Sequence, residues 1–85
     1  MDILQQKILA TELLNCSMED VEENSGLIEE IGALYVSVPT KDGVSLLIDT
    51  DGSALLANSS VSYSKLVSDF LAGQRTPREF FKLKL

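Results

Sequence analysis

The sequence predicts an α+β fold with two layers, in which a three-stranded antiparallel meander is flanked by N-terminal and C-terminal helices. Residues 3–15 are rich in helix-forming side chains, residues 34–38 and 44–49 place apolar side chains at every second position, and residues 63–71 return to a helical spacing. A chain of 85 residues suffices for one domain. We therefore expect residues 1–85 to form a single small α+β domain.

The first helix is predicted at residues 3–15, ILQQKILATELLN, with Asp2 as its N-cap. Its apolar side chains lie on nearly all sides of the helix, which is typical of a helix buried on several sides. Two interpretations stay open for a domain of this size. Either part of the helix forms a self-association or partner surface, or its outer leucines face water.

A second helix is predicted to begin after Ser17, because serine is a good N-cap and acidic residues in a first turn are favoured by the helix dipole. Asn24-Ser25-Gly26 ends this helix. Residues 27–31, LIEEI, fit a further helical turn or an extended lead-in to the sheet. We expect the helical turn.

Three strands are predicted at residues 33–38, 44–49 and 53–57, joined by turns at residues 40–43 and 50–53. Asp51-Gly52 is the sequence expected for a two-residue hairpin turn with positive φ angles. One face of the meander is covered by helices. The opposite face, which carries Tyr35, Leu47 and Leu55, is expected to be open and to offer an apolar patch for binding.

Two C-terminal helices are predicted from capping residues and spacing. Ser60 or Ser62 caps the first, whose apolar residues recur at i, i+3, i+4, i+7 and i+8 from Tyr63, and Gly73 ends it. Thr76-Pro77-Arg78-Glu79 fits a capping box with proline at the first helical position. The last short helix is expected to pack onto the sheet.

The composition excludes several classes of catalytic site. The chain contains no histidine and a single cysteine, so Ser-His and Cys-His nucleophile systems and Cys/His zinc sites are excluded. Cys16 cannot form an intrachain disulfide, which agrees with a reducing compartment. We expect a cytoplasmic protein that binds no metal or cofactor and is not an enzyme.

Charge is distributed unevenly along the chain. Residues 1–51 hold eleven acids and two bases, a balance of −9, whereas residues 52–85 carry a balance of +3. The acidic half repels nucleic acid and anionic membranes and attracts a basic protein surface. A solvated helix surface is the alternative explanation for such acids. The residues predicted to bind a partner are Glu19, Asp20, Glu22, Glu23, Glu29 and Glu30.

The run LLIDTDGSALL, residues 46–56, resembles the first motif of haloacid-dehalogenase-type phosphatases, with Ser53 where threonine is usual. The resemblance implies Asp49 as nucleophile and Asp51 as general acid/base near a magnesium ion, in a doubly wound parallel sheet. The residues that follow leave no room for the crossover that a parallel strand needs. Asp-Gly between apolar runs also indicates a hairpin, and we interpret the motif as a hairpin turn.

The segment LLIDTDGSALLAN also resembles the central hairpin of roadblock-type regulatory modules. That family continues with a long helix and further strands, which are not predicted here, so no function is carried over from it.

These observations favour a small acidic protein-binding module, either an inhibitor or immunity-like protein or another regulatory partner of a second protein. An obligate oligomeric subunit that uses the first helix and the open sheet face is the alternative. A minimal Asp-x-Asp phosphatase is the remote alternative.

Overall fold

The computed structural model describes the backbone of residues 1–39 and 43–84, and the side chains of residues 1–39 and 43–81. The predicted α+β class, with helices at both ends of the chain, is confirmed. The turn predicted at residues 40–43 lies largely outside the described residues. The elements in chain order are α1 (Ile3–Leu14), α2 (Met18–Glu23), β1 (Ser25–Ile28), β2 (Ala33–Ser37), β3 (Ser45–Ile48), β4 (Ala54–Ala57), α3 (Tyr63–Leu71) and α4 (Arg78–Lys84).

The sheet has four antiparallel strands in the order β1-β2-β3-β4, one more than the sequence predicts. The additional strand is β1, so the helical turn expected at residues 27–31 is wrong. Ser25 pairs with Val36 and Ile28 with Ala33. A helical turn of so few residues is costly to nucleate on its own, whereas pairing with β2 satisfies the backbone groups of both strands.

Helices cover both faces of the sheet, which makes three layers where two were expected. On one face, residues of β2 and β3 such as Leu34 and Ile48 join a core with α1, α2 and α4. On the other face, Leu47 packs against Leu66 and Phe70 of α3. The expected open apolar face is therefore wrong, because Leu66 and Phe70 of α3 are buried on that face.

Helix α1 begins with a capping box between Asp2 and Gln5, in which each side chain accepts a hydrogen bond from the other residue's backbone nitrogen at 2.9 Å. The predicted N-cap is therefore confirmed. The buried side of the helix carries Gln6, Ala10, Leu13 and Leu14. Part of its apolar surface faces outward, since Leu4 is 56% and Ile8 44% exposed.

The turn between β3 and β4 is a hairpin, as predicted, but its loop has a different length. Asp49 N donates to Ser53 O at 2.8 Å, and Gly52 N donates to Asp49 O at 3.0 Å. This pattern encloses a three-residue loop of Thr50, Asp51 and Gly52, in which Gly52 has a φ of 88° and Asp51 does not have a positive φ. The predicted two-residue turn is wrong, because one left-handed glycine is enough to close the longer loop.

The N-cap predicted for α3 is confirmed, whereas the capping box predicted for α4 is not formed. Ser62 caps α3, accepting a hydrogen bond from Lys65 N at 3.1 Å. Thr76, in contrast, does not form the predicted capping box. Its hydroxyl accepts from Leu56 N at 2.9 Å, and its own nitrogen donates to Ala54 O at 2.7 Å. Thr76 thus occupies the outer edge of β4, where it satisfies strand groups instead of capping the helix.

Candidate functional site

The two aspartates of the Asp-x-Asp motif lie in the β3–β4 hairpin. The Asp49 carboxylate accepts a hydrogen bond from Thr50 N at 2.7 Å and forms an ion pair with Arg75, also at 2.7 Å. Asp51 accepts from the nitrogen and the hydroxyl of Ser53 at 2.8 and 2.6 Å. The side-chain hydrogen bond from Ser53, followed by its backbone hydrogen bond, lowers the pKa of Asp51 below its ordinary value.

This turn differs from the surroundings that the phosphatase resemblance implies. The sheet around it is antiparallel, whereas the resemblance implies a parallel one. The described residues contain no group of three or more acidic, cysteine or histidine side chains that could hold a metal ion. Both aspartates are engaged in local hydrogen bonds, so the interpretation of the motif as a hairpin turn is confirmed.

Arg75 connects the hairpin to the end of α3. Its Nε donates to Ser53 Oγ at 2.8 Å and one terminal nitrogen donates to Phe70 O at 2.9 Å. The guanidinium carbon lies 3.8 Å from the centre of the Phe70 ring. Sequence reasoning did not identify this residue, because Arg75 is far from Asp49 along the chain and no local pattern links the two. Nearby, Arg78 donates to Gly52 O at 2.9 Å.

Four of the six predicted acids lie on α2. Val21 is the buried residue of this helix, and Glu19, Glu22 and Glu23 are exposed while Asp20 is partly buried. Both ends of the helix are fixed, since Ser17 Oγ accepts from Asp20 N at 3.1 Å and the Asn24 side chain donates to Asp20 O at 2.8 Å. The carboxylates of α2 therefore extend from a short helix with well-defined ends.

The other two acids, Glu29 and Glu30, are exposed in the turn between β1 and β2. Strand β1 separates them from α2, and four strand residues span about 13 Å. The six acids therefore do not form one cluster. They form two groups, one before β1 and one after it, which we call the acidic flanks: Glu19, Asp20, Glu22 and Glu23 on one side, and Glu29 and Glu30 on the other.

Strand β1 lies at the edge of the sheet, between the acidic flanks. Ser37 N donates to Asn24 O at 3.0 Å, so these two residues form a hydrogen-bonded pair. Hydrogen-bonded and non-hydrogen-bonded pairs alternate along antiparallel strands. Gly26 and Ile28 therefore direct their backbone N–H and C=O groups towards β2. Ser25 and Leu27 then direct their N–H and C=O groups away from the sheet. Gly26 and Leu27 are both exposed, and a Cβ added to Gly26 meets no atom within 4 Å.

Basic side chains do not neutralise the acidic flanks within the described part of the chain. The two ion pairs found there join Lys65 to Asp69 and Arg75 to Asp49. Arg78 is bonded to a backbone carbonyl of the β3–β4 loop. Lys65, Arg75 and Arg78, three of the bases in residues 52–85, are thus bonded either within that part of the chain or to the β3–β4 hairpin. The structure brings β1 together with both acidic flanks, a juxtaposition that sequence reasoning missed because residues 27–31 were expected to be helical.

A second exposed feature lies on α1. A shallow groove there is lined by Met1, Gln5, Ile8, Leu9 and Glu12, with apolar side chains contributing most of its wall. Cys16, just beyond this helix, is half-buried and packs against the main core.

None of the described helices has the length and apolar character needed to cross a membrane. A scan against protein-family models, a search of curated proteins and a search of solved structures each found no match to this chain.

Proposed function

We propose that this chain is a small, non-catalytic protein-binding module that recognises a basic surface of another protein through its acidic flanks, as an inhibitor, immunity-like protein or other regulatory partner. The observation that carries the proposal is the placement of six acidic side chains on either side of an exposed edge strand, without an ion pair to any described side chain.

Electrostatic physics supports a basic protein as the partner. Charges that are exposed and not neutralised by neighbours raise the association rate with an oppositely charged surface and disfavour like-charged ones. Nucleic acid and anionic lipid are both negatively charged, so the acidic flanks repel them. The single cysteine agrees with a reducing compartment, and we place the protein in the cytoplasm as part of the same proposal.

The experiment is a capture from the native host followed by identification of the retained protein and measurement of its affinity. Two variants with the same change in net charge, from −6 to −4, make the comparison specific. Glu22→Gln/Glu29→Gln removes one carboxylate from each acidic flank. Glu12→Gln/Glu79→Gln removes two exposed carboxylates elsewhere and serves as the matched control.

The proposal predicts that the first variant binds the identified partner at least about tenfold more weakly, whereas the control stays within about threefold of the unmodified chain. It also predicts weaker binding at higher salt, because the Debye length falls to about 3 Å at 1 M. Equal affinity of the two variants, or binding that salt does not change, would overturn it.

A second candidate function is an obligate oligomeric subunit, and the exposed apolar side of α1 is the observation that favours it. Met1, Leu4 and Ile8 are 48%, 56% and 44% exposed, and such side chains are candidates for burial between copies. The sheet face no longer supports this candidate because α3 covers it. Light scattering at high protein concentration tests this candidate. A monomeric mass that Leu4→Gln/Ile8→Gln does not change would contradict it.

A further inference from the structure

We propose that the partner contributes an extended, basic segment that pairs with β1 as a fifth strand of the sheet. This inference rests on the proposed function and specifies how the partner is bound. Strand addition to an exposed sheet edge derives affinity from main-chain hydrogen bonds and specificity from side-chain contacts.

The first argument is the difference between the two edges of the sheet. At the β4 edge, Thr76 supplies a donor to Ala54 O and an acceptor to Leu56 N, so these two outward backbone groups are already bonded to the chain itself. At the β1 edge, the outward groups belong to Ser25 and Leu27, and β2 is the one strand paired with β1 in this sheet. An edge of this kind is a template for a further strand.

The second argument is steric access. No atom lies within 4 Å of the position that a Cβ would take at Gly26. Leu27 is 41% exposed and lies on the same face as Leu34, with which it is paired. The face of the sheet at Gly26 is therefore open, and an apolar residue of a guest strand beside β1 can cover Leu27.

The third argument decides between a second copy of this chain and a different partner. If β1 of one copy paired with β1 of another, an acidic flank of one copy would meet an acidic flank of the other in either strand direction. Like charges placed together across strands are destabilising. A guest strand with lysine or arginine near both ends meets opposite charge at each end, which selects a basic segment over self-pairing.

The test uses a synthetic peptide of about eight residues in which lysine and valine alternate, blocked at both ends, a length that suits a strand. Two control peptides separate strand pairing from simple charge attraction. One replaces lysine by glutamate. The other keeps lysine and valine but uses D-valine, which preserves composition and charge while disrupting regular strand geometry.

The readouts are affinity by titration and amide hydrogen exchange by NMR. The proposal predicts that the lysine-valine peptide slows exchange of the Ser25 and Leu27 amides by at least about tenfold, since both would gain a hydrogen-bond acceptor. The glutamate peptide is expected not to bind. The D-valine peptide is expected to bind at least about tenfold more weakly and to leave these two amides unprotected.

Two variants of the protein test the hydrogen bond that the Leu27 N–H would donate to the guest strand. Leu27→Pro removes the outward N–H and keeps the β1–β2 hydrogen bonds of Gly26 and Ile28, as proline does at strand edges. Leu27→Ala removes the side chain and keeps the N–H. We expect Leu27→Pro to bind the lysine-valine peptide about tenfold more weakly than Leu27→Ala does. If Leu27→Pro fails to fold, the D-valine comparison decides the question.

The outcomes distinguish this inference from the proposed function. Equal binding of the L- and D-valine peptides, without protection of Ser25 and Leu27, would overturn strand addition and leave charge recognition standing. Tight binding of the glutamate peptide would contradict the role of the acidic flanks. Failure of every peptide to bind at low salt would overturn strand addition, and the capture experiment would then test the proposed function independently.

Discussion

Replacing Gln6 by methionine provides a direct measure of how α1 is held against the sheet. Gln6 is 2% exposed, and its Nε2 donates to Gly32 O at 2.9 Å and to Ile48 O at 3.0 Å. Methionine has a similar volume but no donor, so packing is retained while both hydrogen bonds are lost. At about 1 kcal/mol for each net hydrogen bond, and with some additional cost for the desolvated carbonyls, we expect the free energy of unfolding to fall by about 2–3 kcal/mol.

The measurement is equilibrium unfolding in denaturant, with Leu4→Met as the control. Leu4 is on the same helix and 56% exposed, so its replacement is expected to change stability by less than about 0.5 kcal/mol. A loss below about 0.5 kcal/mol for Gln6→Met would refute the reasoning, because it would mean that the hydrogen bonds to Ile48 of β3 and to Gly32 of the β1–β2 turn contribute no net stability.

Three further predictions concern other parts of the molecule. Arg75→Ala should lower the unfolding free energy by about 2 kcal/mol, and Arg75→Lys should recover less than half of that, as measured by denaturant unfolding. Gly73→Ala should cost about 1 kcal/mol because Gly73 has a φ of 93°, whereas Gly26→Ala, in open space, should stay within about 0.5 kcal/mol in the same assay. The Asp51 carboxyl should titrate by NMR below its ordinary pKa of 3.8, and Ser53→Ala should raise its pKa towards that value.

The sign of the Asp51 effect follows from linkage. A folded-state pKa below the unfolded-state value means that the carboxylate form stabilises the folded chain. This contribution is fully present above about pH 4 and is lost as the pH falls through the folded-state pKa. The Ser53→Ala chain should show a smaller acid sensitivity, because it loses the hydroxyl donor and keeps the backbone donor to Asp51.

The features that local sequence determines were predicted well. Asp2, Ser17 and Ser62 each cap the helix that follows, because a cap depends on the side chain and the next three residues. The apolar stripe of α3 and the period of two in β2 and β3 likewise reflect local sequence patterns. Each of these signals lies within a few residues of the element it predicts.

The features that depend on contacts between distant residues were not predicted. Residues 25–28 became a strand because β2 lies beside them, which no local pattern indicates. Thr76 bonds to β4 rather than to its own helix, and α3 covers the sheet face that was expected to be open. In each case pairing or packing with a distant segment outweighed a weak local preference.

The candidate site shows the same division. The distribution of charge along the sequence was enough to select the six acids in the N-terminal half. Their arrangement as two acidic flanks on either side of an edge strand required the pairing of β1 with β2. The inference about strand addition therefore depends on the fold, whereas the inference about charge recognition depends on the sequence and on the exposure of the side chains.

Amide hydrogen exchange of the whole chain, with and without the captured partner, tests the central claim most directly. The account predicts slowed exchange within residues 22–30, with the largest change at Ser25 and Leu27. Protection confined to the outer side of α1, or to α3 and the β3–β4 hairpin, would contradict it and would place the partner on a different surface.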